Sequence, residues 1–371
     1  MTEDMRSAME NAISRRNMLQ AAGSIGLLAA SGTFLAACGS SSKAPSSSTS
    51  ASNTAVDLNA ARNEGTLVVW HSDQEPDNVA LLAKFTAKTG IKATEQKISP
   101  ADGLAKIQLL ERTGTRSTDV FLASPDVHHQ LQQKDLLMQF APSELAPYEA
   151  RFKSDPVGYW CAYFVNVTAI TYKPDYVSAD QAPKRYEDML DPQWKGLLEF
   201  AGPTSATAFV FWYNLRNILP QDFWDKLTLQ RPTAYSSSTA MIQDLNNQNK
   251  KIAAQMSVFQ VTKAIRNKQR LSFVSDPRGM STSLSSASII KSTKRPNAAK
   301  AFVQYLLSEE GQDVWNNQIQ GSYSPLPNIQ PKELPPVSGL KLLVPTDMAD
   351  YGSTALRAQF ETMWSKVVGV A

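Results

Sequence analysis

At 371 residues, 42% hydrophobic and 19% charged, the chain has an ordinary globular composition and is long enough for two domains. A formal net charge of +3, with no Lys/Arg block and no basic stripe interleaved with aromatics, argues against a nucleic-acid partner. Three histidines and two cysteines supply neither a disulfide framework nor a Cys/His zinc spacing, so no metal site and no cofactor are expected.

Residues 1–37 read as a signal peptide. Ser14-Arg15-Arg16-Asn17-Met18-Leu19-Gln20 resembles a twin-arginine export signal with Met18 where Phe is usual. A modestly apolar run containing Gly23, Gly26 and Gly32 follows, which suits a cleaved signal better than a membrane span. A Sec signal with a chance Arg-Arg pair is the alternative. Leu35-Ala36-Ala37-Cys38 resembles a lipoprotein box, which makes Cys38 the lipidated first residue and leaves Cys161 without an intrachain partner. Residues 38–60 then form the lipidated cysteine and a flexible tether, rich in Ser, Ala and Thr. The expected location is the periplasm or the outer face of a bacterial cytoplasmic membrane. No ATP is supplied there, and the chain has no Walker A motif and no GxGxxG.

From residue 66 the pattern alternates. A strand over 66–70 ends at His71-Ser72-Asp73, and a helix from Asp77 carries Val79, Leu82 and Phe85 on one face with Gly90 as its stop. A strand over 91–94, a helix marked by Leu104, Ile107 and Leu110, and a strand over 119–123 come next. Ser124-Pro125-Asp126 opens another helix, with Pro at its first position. Strand, helix, strand, helix, strand predicts a parallel sheet covered on both faces, with ligands at the carboxyl ends of its strands. His71, Ser72, Asp73, Gln74, Ser124 and Asp126 fall there. A long apolar strand over 159–172 is followed by a second alternating set: a helix near 186–190, a strand at 197–200, helices over 205–219 and 238–245, and strands at 251–256, 271–274 and 285–290. Helices over 296–307, with Ala299, Phe302, Val303 and Leu306 inward, and 351–368 close the chain.

Within the second set, Gly202-Pro203 breaks a strand, and Thr204 or Ser205 can cap the helix whose body is Phe209, Val210, Trp212 and Tyr213. Such a turn aims free backbone N–H groups and hydroxyls at one spot, where the helix dipole favours negative charge. It reads either as a plain capped connection or as a seat for a phosphate, phosphonate or carboxylate.

Several runs resemble one family. They are Asp119-Val120-Phe121; the stretch Ala182-Pro183-Lys184-Arg185-Tyr186-Glu187-Asp188-Met189-Leu190-Asp191-Pro192-Gln193-Trp194-Lys195-Gly196; Pro203-Thr204-Ser205; and Leu306-Leu307-Ser308-Glu309-Glu310-Gly311-Gln312. The chain is similar to the extracellular solute-binding proteins of ABC importers, within the branch that includes the ferric-iron-binding proteins. The resemblance spans about residues 64–368. It implies an α/β, two-lobed type II periplasmic-binding-protein fold with a ligand cleft between lobes joined by crossover strands. The first lobe is expected at 61–167 and 275–325, the second at 168–274, and a tail at 326–371 that packs on the second lobe.

The iron-binding branch holds its metal with a His, a Glu and a Tyr-Tyr pair. The corresponding positions here are Gln74, Ser124 and Phe259-Gln260, none of which is an anionic oxygen ligand. His128 and His129 are adjacent, so a helix splays them about 100° apart, and they read as surface or packing residues. The branch's anion turn does correspond, to Ser205, Ala206 and Thr207, with Ala206 in place of a Gly. The expected ligand-binding set is Ser205, Ala206, Thr207, Thr204, Ser72, His71, Asp73, Ser124, Ser238, Thr239, Phe259 and Trp160, and Arg278 could pair with an anion or lie in solvent.

These expectations describe a monomeric, non-enzymatic lipoprotein that captures a small anion-bearing solute and passes it to a membrane permease. A carrier of ferric chelates and a sensory module remain as alternatives. A secreted hydrolase is disfavoured. His71-Ser72-Asp73 are neighbours on a strand, so they alternate faces and cannot form a relay, and there is no G-x-S-x-G elbow.

Overall fold

The computed structural model describes residues 56–327, 329 and 331–369. The signal peptide, Arg15-Arg16, Cys38 and most of the tether lie outside the described residues.

A short helix α1 (Leu58–Asn63) precedes β1 (Leu67–His71), α2 (Glu75–Thr89), β2 (Ala93–Lys97), α3 (Pro100–Arg112), β3 (Val120–Ala123), α4 (Pro125–Gln133) and β4 (Leu137–Met138). The long strand β5 (Cys161–Tyr172) leads to β6 (Leu198–Ala201), α5 (Ala206–Leu215), α6 (Phe223–Leu229), β7 (Thr233–Tyr235), α7 (Ser238–Asn246), β8 (Ile252–Ser257), α8 (Val258–Arg266) and β9 (Ser272–Val274). A second long strand, β10 (Met280–Ile290), precedes α9 (Pro296–Leu307), α10 (Glu309–Gln312), a π-helical segment (Asp313–Gln320), β11 (Leu342–Leu343), α11 (Met348–Tyr351) and α12 (Thr354–Val367). Helices α2, α3, α4 and α9 have Pro in their first turn, where its fixed φ is pre-set and its missing N–H has no partner to lose.

The strand order is β2-β1-β3-β10-β5-β8-β6-β7, with β4 and β11 on β10 and β9 on β5. Two copies of one arrangement are embedded in it. In the first, β2, β1 and β3 run parallel and β10 and β5 follow. In the second, β7, β6 and β8 run parallel and β5 and β9 follow. Strand β5 serves both. Cys161 to Val167 pair with β10, and from Thr168 onward it pairs with β8 and β9. Its side chains divide likewise: Val165, Val167 and Ala169 belong to the first core with Phe85 and Phe302, whereas Ile170 and Tyr172 belong to the second with Phe200, Phe211 and Trp364. Each core is therefore anchored by large fully buried side chains, every one contributing about 1.5–3 kcal/mol by removal from water.

Strand direction fixes where a ligand can go. β10 is antiparallel to both β3 and β5, so β5 runs with β1 and β3 towards the second lobe. β8 is antiparallel to β5 and parallel to β6, so the strands of the second lobe point back at the first. The carboxyl ends of both parallel sets, and the helix starts that follow them, thus face each other where β5 crosses.

The family-like runs prove architectural. Asp119 accepts from Val68 N at 2.8 Å, Thr293 Oγ1 at 2.6 Å and Arg295 Nη1 at 3.0 Å, which pins β3 to its neighbours. Asp188 accepts from the backbone N–H groups of Lys184 and Arg185, at the start of the helix expected near 186–190, which is a 3-10 helix (Tyr186–Leu190). The Tyr186 N–H donates to Asp276 Oδ2 at 2.9 Å, beside the connection from β9 to β10. Gln312 is fully buried, accepting from Asn316 and Ser324 and donating to Leu306 O.

Some expectations shift. Val79 is 52% exposed, and α2 turns Asn78, Leu81, Leu82 and Phe85 inward instead. The second strand begins at Ala93 and is a polar edge, with Glu95, Gln96 and Lys97 discouraging further pairing. Helix α5 stops at Leu215, short of Pro220, which disfavours helical backbone at the residue before it. The tail touches both lobes: α12 packs in the second core through Phe360 and Trp364, whereas α11 lies against α4 of the first lobe.

Candidate functional site

Five helix starts border the cleft. Gln74 and Ser124 are the N-caps of α2 and α4; Ser205, Ser237 and Ser257 are those of α5, α7 and α8. A capping Ser normally accepts from the N–H two or three residues on. Ser237 does so, with Ala240 N at 3.2 Å. The hydroxyls of Ser124, Ser205 and Ser257 make no capping bond; at α4 Pro125 has no N–H and Val127 N already donates to Ser124 O at 3.2 Å, so the uncommitted helix starts are those of α5 and α8. Ser205 and Thr207 are half-buried, while Thr204 and Ala206 are exposed. Ser257 lies opposite Thr168, where β5 passes between the lobes, and Ser124 directly follows Ala123, which pairs with Ser286 of β10.

The two sides of the cleft differ in charge. Helices α5, α7 and α8 have no acidic residue in their first turns. Helix α2 has Glu75 and Asp77, and α4 has Asp126. The second lobe therefore presents uncompensated positive helix ends and the first lobe presents carboxylates. Asp73, between β1 and α2, is half-buried; it accepts from the hydroxyl of Tyr163 and from Ser285 Oγ at 3.2 Å. Loss of water raises its pKa, and the Tyr163 hydrogen bond opposes that rise. Gln255 of β8, 2% exposed, accepts from Ala201 N at 3.0 Å and leaves its Nε2 unpartnered near the end of β6.

Two expected ligand residues do not reach this space. His71 is fully buried, and its Nε2 meets Glu95 Oε2 at 2.5 Å, because side chains alternate along β1 and its neighbour there is the edge strand. Trp160 precedes β5 and so lies at the far end of the first lobe. It lines a groove of about 670 Å³ with His129, Lys153 and Asp155 and with Asp347 and Met348 of the tail, and none of the five N-cap residues borders that groove. Ser238 is half-buried and Thr239 exposed in the first turn of α7, with the capping role falling to Ser237. Ser72 follows β1, its N–H bonded to Leu122 O at 3.1 Å. Phe259, in the first turn of α8, is half-buried edge-on to Phe164 at 5.7 Å. Arg278 is no ligand arm: it pairs with Glu187 and, at 2.7 Å, with Asp276. His128 is buried between Ser286 O and Ser288 Oγ, and burial pushes its pKa down to about 4.

Sequence reasoning missed α8 and what it does. Lys263 of α8 pairs with Asp77 of α2 at 2.9 Å, and Gln320 also donates to Asp77 at 2.8 Å. On the other side Tyr351 stacks on Phe209 at 5.4 Å while its helix rests on α4. The Ser257-Val258-Phe259-Gln260 sequence, a Ser followed three places on by Gln before an amphipathic run, was the available signal for this helix start.

Two α/β lobes joined by crossover strands, with helix starts facing across a cleft, define a type II periplasmic binding protein. The chain belongs to the bacterial extracellular solute-binding proteins, whose family profile matches residues 116–347. It is 23% identical to the Fe(3+)-binding periplasmic protein of Serratia marcescens over 268 residues, covering 69% of this chain and 77% of that one. Among solved structures it is similar to iron-bound HitA from Pseudomonas aeruginosa, at a TM-score of 0.69 and 21% identity over 80% of this chain and 98% of that one. It is also similar to AfuA from Actinobacillus pleuropneumoniae with exogenous fructose-6-phosphate bound, at a TM-score of 0.66 and 18% identity over 83% and 99% of the two chains.

Proposed function

We propose that this protein captures a small organic solute bearing a phosphonate, phosphate ester or carboxylate group and delivers it to the permease of an ABC importer. The observation that carries the reading is the set of three adjacent helix starts on the second lobe, without first-turn carboxylates and with two capping serines unspent. Oriented N–H groups and dipole ends of this kind favour an anion by about 0.3–1 kcal/mol each at exposed sites, and more where water is excluded. A structural neighbour that holds a sugar phosphate in the same fold is consistent with it. The role is binding, not catalysis. Lipid on Cys38 would tether a monomer at the outer face of the membrane, which suits hand-over to a permease. No helix among the described residues is long and apolar enough to cross a membrane.

Uptake of iron is the second reading, favoured by the names of the curated relatives. Among the described residues no group of three or more His, Cys, Asp or Glu side chains is placed to hold a metal ion, so iron would arrive inside its own chelator. The test is a thermal-shift and calorimetric screen of phosphonates, phosphate esters, carboxylates and ferric chelates. Binding of an anionic class, weakened about tenfold or more by Ser205→Ala, supports the proposal. Response to ferric chelates alone, indifferent to Ser205, replaces it with the second reading.

A further inference from the structure

We propose that the solute is a zwitterion, with its anionic group on the helix starts of the second lobe and a protonated amine on the Asp73 carboxylate of the first. This inference rests on the anion-seat reading above.

Three features of the first lobe lead to it. Asp73 is held only by neutral donors, the hydroxyls of Tyr163 and Ser285, each on a different carboxylate oxygen, so both oxygens keep an acceptor site. Its titratable neighbours are His71, whose Nε2 is taken by Glu95, and Asp77, a like charge. Among the described residues no lysine or arginine pairs with it: Lys263 is committed to Asp77. Secondly, Asn78 is fully buried one turn into α2. Its Nδ2 donates to Gln74 O at 3.4 Å, which fixes the amide beside the turn that carries Asp73 and leaves Oδ1 with no partner. Acceptors thus gather here without matching donors. Thirdly, among the five helix starts at the cleft, those with first-turn carboxylates, α2 and α4, lie on this lobe, whereas α5, α7 and α8 opposite have none. A half-buried carboxylate with no lysine or arginine partner is costly until a cation arrives, and an ammonium brings both charge and three donors. A ligand with a second anionic end would meet like charge.

Calorimetry on the purified full-length protein with matched pairs tests this: 2-aminoethylphosphonate, 2-hydroxyethylphosphonate and ethylphosphonate, then phosphoethanolamine against ethyl phosphate, and β-alanine against propionate. In whichever series binds, the amine should bind about tenfold or more tightly than its deaminated partner. Asp73→Asn should erase that ratio. The ratio in the unsubstituted protein decides the matter by itself should the variant not fold. Equal binding of amine and deaminated members, or of amine and hydroxyl members, overturns the zwitterion and leaves the anion seat standing. Binding of none of the three series overturns both.

Discussion

Replacing Glu199 by Gln tests the electrostatics of the second lobe. Glu199 lies on β6 between β7 and β8, is fully buried, and neither carboxyl oxygen has a partner. Burial, with the Asp244 carboxylate nearby, pushes its pKa from 4.5 up to about 9; Lys250 pulls the other way, but its amine is bonded to Gly196 O at 2.7 Å. Below pH 4.5 the folded and unfolded chains are both protonated, and Glu199 adds no pH dependence. Between 4.5 and about 9 the unfolded chain releases a proton that the folded chain keeps, so stability falls as pH rises, by about 1.4 kcal/mol per unit. At pH 7.5 the accumulated loss is about 4 kcal/mol. Glu199→Gln keeps the shape and never ionises, so its stability advantage should grow by about 1.4 kcal/mol per pH unit across pH 5.5–7.5. An unpartnered amide costs the same at every pH, so the slope is the quantity to read. Urea unfolding of both proteins at three pH values, followed by tryptophan fluorescence, measures it. Parallel stability–pH lines would refute the reasoning, since they require Glu199 to be ionised in the folded state or solvated there.

Gly311→Ala should destabilise the first lobe by about 3 kcal/mol, because a Cβ there would lie 1.9 Å from the Tyr305 carbonyl oxygen; a lowered thermal midpoint at unchanged ligand stoichiometry would show it. Lys263→Ala removes the ion pair between α8 and α2. As a half-exposed pair it is worth about 0.5–1 kcal/mol, so small-angle scattering of the ligand-free variant should show a larger radius of gyration, and an unchanged radius would mean the pair does not hold the lobes together. Ser257→Ala should weaken binding of the anionic ligand while leaving the thermal midpoint of the ligand-free protein within about 2 °C, since its hydroxyl caps nothing; equal affinity would place the anion nearer Ser205.

Several of the helix starts at the cleft were legible in local residue types. Ser124-Pro125 and Gly202-Pro203-Thr204-Ser205 announce helix starts because capping and φ restriction are local effects, readable from a few neighbours. The alternation from β1 to α4 likewise implied the parallel sheet that β2, β1 and β3 form. His71 and Asp73 were less separable. Two places apart at the end of one strand, they look equally polar. Only pairing with Glu95 on one side and with Tyr163 and Ser285 on the other sends one into the core and the other to the cleft. Trp160 failed for a related reason. An aromatic beside a long strand can sit at either end of it, and only the direction of β5 through both lobes decides which.

Sequence alone determined most of the elements and their order, the family resemblance and the place of Ser205 at a helix start, because those follow from backbone sterics, hydrophobic period and local hydrogen bonding. Tertiary structure decided the rest. It divided the cleft into a carboxylate-bearing side and a side of bare helix ends, joined Lys263 to Asp77 across 186 residues, and buried Glu199 without a partner. Charge interactions depend on distance and on exclusion of water, and neither is encoded in the spacing of residues along the chain.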